Sequence, residues 1–131
     1  MKNRQEMLVG MLKVVEGRSK CSRAQVGCII AREGRVLSIG YNGGISGGAD
    51  CLCGADQGQV LGCLHAEANA IAWAAKEGIK VEGAEMYCSL SPCVSCAKLI
   101  LNAGIKKLYY LDDYRCLEGL KLLKNNAFKL V

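Results

Sequence analysis

Residues 84–104 read AEMYCSLSPCVSCAKLILNAG, and the reading of this stretch decides the fold. Ala84 to Leu90 is a short apolar run of strand length. Pro92 follows at a position where the first turn of a helix tolerates proline, and Gly104 supplies a stop. A helix from Pro92 through Asn102 is predicted. Strand then helix, joined by the single residue Ser91, is half of a βαβ unit. The next apolar run, Lys107 to Leu111, completes it as a second strand. Such strands are parallel, and the crossover between them is right-handed.

Outward from that unit the pattern continues. Cys116 to Asn125 reads as a helix and Phe128 to Val131 as a final short strand. On the other side, the alanine-rich stretch from His65 to Lys76 reads as a helix ended by Gly78. Before it lies a long glycine-rich loop, Asn42 to Gly62, of small and polar residues with cysteines. A loop of this length inside a domain is usually functional. Gln25 to Ala31 and Arg35 to Tyr41 read as two strands of a hairpin around Glu33-Gly34. Leu8, Met11, Leu12 and Val15 recur at helical spacing, which predicts an N-terminal amphipathic helix ended near Gly17 and Ser19. The fold class expected is α/β: a three-layer α/β/α sandwich with a mixed central sheet. No repeat or linker divides residues 1–131, so one domain is expected.

Bulk composition narrows the function classes. Half of the 131 residues are hydrophobic (51%), which argues against disorder. No apolar run approaches the ~20 residues a bilayer requires. The first twenty residues lack the apolar block and cleavage site of a signal peptide. A cytoplasmic chain without membrane partners is expected, in a host's cytoplasm if the source is viral. The net charge of +5 is spread along the chain. It suits an anionic ligand such as a nucleotide and equally a solvated surface. With one Trp, one Phe and five Tyr, a groove for long nucleic acid is not expected. The nine cysteines are odd in number, so metal binding or burial is expected ahead of disulfides. Cys28 and Cys88 sit in apolar runs and read as buried small hydrophobes.

Two segments carry chemistry: His65-Ala66-Glu67 and Pro92-Cys93-Val94-Ser95-Cys96. One imidazole and two thiolates make three protein ligands for a tetrahedral zinc and leave the fourth position to water, the mark of a catalytic site. Cys93 and Cys96 lie three apart at a helix start, where the helix dipole favours thiolates. Glu67, two residues past His65, need not face the same metal. It is placed to take a proton from a zinc-bound water and pass it to a leaving nitrogen. Zinc lowers the pKa of such a water toward ~7. Taken alone, Cys-x-x-Cys is also a structural zinc half-site or a redox pair, and a single histidine is also a core residue. Together, 28 residues apart with one strand between, they match the His-x-Glu and Pro-Cys-x-x-Cys signature of the zinc deaminases.

From about Ser19 to Tyr114 the chain resembles the deoxycytidylate (dCMP) deaminase family of the cytidine deaminase superfamily. The matching pieces are Ser19-Lys20-Cys21, Val26-Gly27, Gly40-Tyr41-Asn42-Gly43, His65-Ala66-Glu67, Asn69-Ala70-Ile71, Ser91-Pro92-Cys93, Cys96-Ala97-Lys98 and Ala103-Gly104-Ile105-Lys106. The resemblance implies a cytidine deaminase-like fold. It implies hydrolysis of dCMP to dUMP and ammonia, which supplies dUMP for thymidylate synthesis within pyrimidine nucleotide biosynthesis. His65, Cys93 and Cys96 would hold the catalytic zinc, with Glu67 as proton shuttle. Asn42 would bond the sugar, Ala66 would offer its backbone near the base, and Tyr114 would contact substrate. Ser22, Arg23 and Arg115 would meet the phosphate. A homohexamer is implied, activated by dCTP and inhibited by dTTP, each with Mg2+. Relatives with a structural zinc near the glycine-rich loop place Cys21, Cys51, Cys53 and Cys63 as a second zinc site. The alternatives are a deaminase of another cytosine nucleoside, nucleotide or RNA base, and a zinc-stabilised binding module without catalysis. The presence of Glu67 argues against the last.

Overall fold

Asn3 starts the first helix: its Oδ1 accepts the backbone N–H of Glu6 at 2.8 Å. In the computed structural model, which describes residues 3–21, 24–45, 63–126 and 128–130, this helix α1 runs Arg4–Glu16. Leu8, Leu12 and Val15 form its buried stripe. Met11, expected in that stripe, instead sits on the exposed flank of the helix.

The hairpin forms as expected. Strands β1 (Gly27–Arg32) and β2 (Arg35–Tyr41) pair antiparallel, with Arg32 opposite Arg35. Both turn residues, Glu33 and Gly34, take positive φ (53° and 77°), the left-handed pair that suits the twist of a two-residue hairpin loop. β1 begins at Gly27, two residues later than expected. The amide of Val26 is bonded to the Asn42 side chain and so does not join the ladder.

The rest alternates: α2 (Ala66–Glu77), β3 (Glu85–Leu90), α3 (Val94–Asn102), β4 (Lys107–Asp112), α4 (Glu118–Asn125) and β5 (Lys129–Leu130). The sheet order is β2-β1-β3-β4-β5. β1 is antiparallel to both neighbours, while β3, β4 and β5 are parallel. The sheet is therefore mixed, as expected. α2, α3 and α4 begin one to two residues later than the sequence suggests, and β4 extends through Asp112.

Alternation along β1 assigns the two faces. Cys28 and Ile30 pack with Ala66, Ala70, Ala97, Ile100, Leu108 and Leu123, beneath α2, α3 and α4. Ile29 and Ala31 pack with Leu8, Leu12, Val15 and Tyr87, beneath α1. Cys28 and Cys88 are cross-strand partners, both wholly buried in the first of these cores. Among the described residues, no helix is long and apolar enough to cross a membrane.

One buried polar contact fastens α2 to the hairpin. Ser38 is 2% exposed, and its hydroxyl donates to the carbonyl of Ala70 at 2.7 Å. That carbonyl lies inside α2, so removing the hydroxyl does not strip it of its helical partner. Ser38→Ala is therefore expected to cost about 1 kcal/mol in urea unfolding, not the larger penalty of an orphaned group.

Candidate active site and metal centre

The site forms where two helices begin. His65 is the residue before α2, and Cys93 is the residue before α3. Cys96 lies in the first turn of α3. The sulfurs of Cys93 and Cys96 each lie 3.4 Å from Nδ1 of His65. Among the described residues these three are the one group of His, Cys, Asp or Glu whose ligand atoms all fall within 4.8 Å of one another. Zinc–sulfur and zinc–nitrogen bonds of usual length at a tetrahedral angle put S and N about 3.5 Å apart, so the donors fit that ion. They grade from exposed His65 through half-buried Cys93 to buried Cys96.

Their electrostatics fit a cation as well. Hydrogen bonds from Cys96 and then His65 pull the Cys93 thiol down to about 4, so it carries a negative charge. Cys96 is pushed upward, first by its hydrogen bond with Cys93 and then by burial. The bond to Cys93 raises His65. Without a metal, the trio thus shares protons around one negative sulfur. A divalent ion replaces those protons and lets both sulfurs ionise.

Glu67 stands next to the trio. It is 4% exposed, in the first turn of α2, and hydrogen-bonded to Cys96. Burial pushes its pKa up, against the opposing pull of its own backbone amide and His65. A buried carboxyl of raised pKa beside a metal site is suited to both accepting and releasing a proton.

Backbone contacts hold these pieces in register. Gly43 and Leu64 exchange hydrogen bonds (3.2 and 2.7 Å), an isolated antiparallel bridge. The bridge ties the residue after Asn42 to the residue before His65 and closes the ends of the glycine-rich loop. Asn69 donates to the Tyr41 carbonyl at 2.9 Å, on the same side. Two glycines allow the helices to seat. A Cβ on Gly40 would lie 2.3 Å from the Ala66 carbonyl oxygen and 2.6 Å from the Ala70 nitrogen. A Cβ on Gly119, in α4, would lie 2.2 Å from the Pro92 carbonyl oxygen and 2.9 Å from the Cys93 carbonyl.

The other expected contacts are placed as follows. Ala66 is buried as the first residue of α2, where backbone amides lack helical partners. The Tyr114 amide donates to the hydroxyl of buried Ser91 at 2.7 Å, which sets Tyr114 beside the Pro92-Cys93 corner. The Arg115 guanidinium lies over the Tyr114 ring, 5.8 Å from its centroid. Asn42 is buried at the end of β2, with its amide bonded to the Ser19–Val26 segment. Ser22 and Arg23 lie outside the described residues. So do Cys51 and Cys53 of the second zinc group. Cys21 is half-buried, and Cys63 is disulfide-bonded, a state in which its sulfur is not a thiolate ligand. The sequence did not single out Ser19, Ser91 or Gly119 for the contacts they make. Ser19 and Ser91 belong to the matched pieces Ser19-Lys20-Cys21 and Ser91-Pro92-Cys93 without a role assigned to them, and Gly119 has no such signal.

The model of the cytidine and deoxycytidylate deaminase zinc-binding region matches residues 1–112. The chain belongs to that family. Deoxycytidylate deaminase of Enterobacteria phage T4 is 36% identical, over 77% of this chain and 74% of its own length. ComE operon protein 2 of Bacillus subtilis (strain 168) is 43% identical over 75% of this chain, and the chain spans about half of that relative, 53%. The crystal structure of dCMP deaminase from the cyanophage S-TIM5, in complex with dCMP and dUMP, superposes with a TM-score of 0.90. It is 34% identical and is covered over 98% of its length by all of this chain. The cytidine deaminase-like fold expected from the motifs is the fold found.

Proposed function

We propose that this deaminase-family chain hydrolyses dCMP to dUMP and ammonia. The observation that carries the reading is the buried carboxyl of Glu67 beside the compact donor set of His65, Cys93 and Cys96. The choice of dCMP is supported by the substrate named for the phage T4 relative and by the dCMP and dUMP bound to the cyanophage enzyme.

His65, Cys93 and Cys96 would hold zinc, which when bound supplies an activated water for attack at C4 of the cytosine ring. Glu67 would take up a proton at its carboxylate from the attacking water. It delivers that proton to N3 of the ring, and then assists protonation of the departing amino group, so dCMP and water balance to dUMP and ammonia. The first amides of α2, at Ala66, face the base. Tyr114, held by Ser91, closes one side of the nucleotide, with Arg115, Ser22 and Arg23 toward the phosphate. Asn42 bonds the sugar side. The product dUMP serves thymidylate synthesis in the cytoplasm. The working form is a homohexamer switched on by dCTP and off by dTTP, each with Mg2+. Cys21, Cys51, Cys53 and Cys63 form a second zinc site under reducing conditions, in place of the disulfide at Cys63.

Ammonia release from dCMP, deoxycytidine, cytidine and a tRNA, with and without dCTP and dTTP, tests this reading. Turnover of dCMP ahead of the others by at least about tenfold is expected, as for a site that pairs with a phosphate. Preference for tRNA or for a free nucleoside would replace dCMP as the substrate. Zinc measured per chain in reductant should be near two, and one would remove the second site.

A further inference from the structure

Asn42 is 7% exposed, and its amide is almost fully engaged. Oδ1 accepts the Val26 amide N–H at 2.9 Å and also accepts the hydroxyl of Ser19. Nδ2 donates to the Ala24 carbonyl at 2.7 Å. A backbone N–H can only donate and a carbonyl can only accept, so these two partners fix which end of the amide is oxygen. The Ser19 hydroxyl faces both the Asn42 backbone carbonyl, at 3.0 Å, and Oδ1, and the contact to Oδ1, the shorter of the two, occupies its second acceptor position. After these bonds, one N–H of Nδ2 is what the Asn42 side chain has left among the described residues.

We infer that Ser19 is a positioning residue of the nucleotide site: its hydroxyl locks Asn42 so that the amide meets substrate as a donor alone. The inference rests on the nucleotide deaminase reading above. The group Asn42 takes is then an acceptor oxygen of the nucleotide, used through its lone pair and not through a hydroxyl proton. Ser19 is itself well anchored. Its amide donates to the Glu16 carbonyl at 3.1 Å, its own carbonyl accepts from the Gln25 side chain, and its hydroxyl accepts the Cys21 amide at 3.2 Å. The Ser19 amide and carbonyl are therefore held independently of the hydroxyl. Ser19 and Asn42 are 23 residues apart, and both are buried, so their contact joins the end of α1 to the rim of the site.

The test compares Ser19→Ala, Ser19→Thr and Ser19→Val with the wild-type holoenzyme, reading KM and kcat for dCMP, zinc content and melting. Threonine keeps the hydroxyl, and valine has its shape without it. Ser19→Ala and Ser19→Val remove the hydroxyl's contacts to Asn42 together with its bond from the Cys21 amide, and loss of the bond that orients a binding group should raise KM about three- to tenfold. Ala and Val are expected to show that rise with kcat within about twofold and zinc unchanged, and Thr to stay near wild type. An unchanged KM in Ser19→Ala would overturn the inference, as would a parallel fall in kcat and zinc. Failure of Ala and Val to fold while Thr folds would make the hydroxyl a structural strut alone, which also overturns it. A wild-type enzyme inactive on dCMP would instead defeat the underlying substrate assignment, a result distinct from any of these.

Discussion

Glu67→Gln should leave zinc in the protein and lower turnover by about 10²- to 10⁴-fold, the range for removing a positioned acid–base group. Glutamine keeps the shape of the side chain and its place in the first turn of α2. It cannot ionise, so it cannot take up the water's proton. Stability gives an independent check. Glu67 is 4% exposed, and burial raises its pKa, so its charged form is costly in the fold. Neutral glutamine should melt at the wild-type temperature or slightly above. Zinc analysis, ammonia release and a melting curve on one preparation decide the matter. Activity within tenfold of wild type would show that some other group carries the proton.

Gly119→Ala should destabilise the protein and loosen the metal in the same variant. Gly119 has an ordinary helical backbone, and alanine alone would favour α4 by about 1 kcal/mol. The steric cost exceeds that gain. The new methyl would fall 2.2 Å from the Pro92 carbonyl oxygen and 2.9 Å from the Cys93 carbonyl. Those neighbours are backbone, with no rotamer to change, so α4 must lift or the Pro92-Cys93 corner must move. Overpacking of this kind costs roughly 1–3 kcal/mol. Because Cys93 is a donor, the shift should also weaken zinc affinity, by an amount like the roughly 10- to 100-fold seen when supports of metal ligands are lost. Urea unfolding and a zinc competition titration measure the two effects. Glu118→Ala, the exposed neighbour, is the control and should change neither. Gly40→Ala meets the Ala66 carbonyl under α2 and should behave like Gly119→Ala.

Much of this was legible in the chain because it is local. The hairpin followed from a two-residue turn, Glu33-Gly34, between an apolar run and a returning strand. The parallel unit followed from strand, proline, helix and glycine in order. The donors His65, Cys93 and Cys96 were legible from the joined His-x-Glu and Pro-Cys-x-x-Cys signature, which neither segment carries by itself. Errors came where tertiary packing chose between local options. Met11 fits the apolar period of α1, yet the sheet beneath is filled by Leu8, Leu12 and Val15. The start of β1 moved because Val26 bonds to Asn42. The contacts that orient the site lie beyond any period. Ser19 meets Asn42, and Tyr114 meets Ser91, each across 23 residues. A serine before either partner carries no mark of the atom it will touch.

Helices usually begin on a side chain that closes over their first free amides. α2 and α3 begin on His65 and Cys93, and neither side chain makes that bond. Serine or aspartate at either position would strengthen the helix start by about 1 kcal/mol and would delete a donor. Robustness and chemistry therefore compete for the same two residues, and a hardier enzyme cannot be obtained there. The uncapped start of α4, at Leu117, carries no such duty, and improvement by helix capping has room at that end of the molecule.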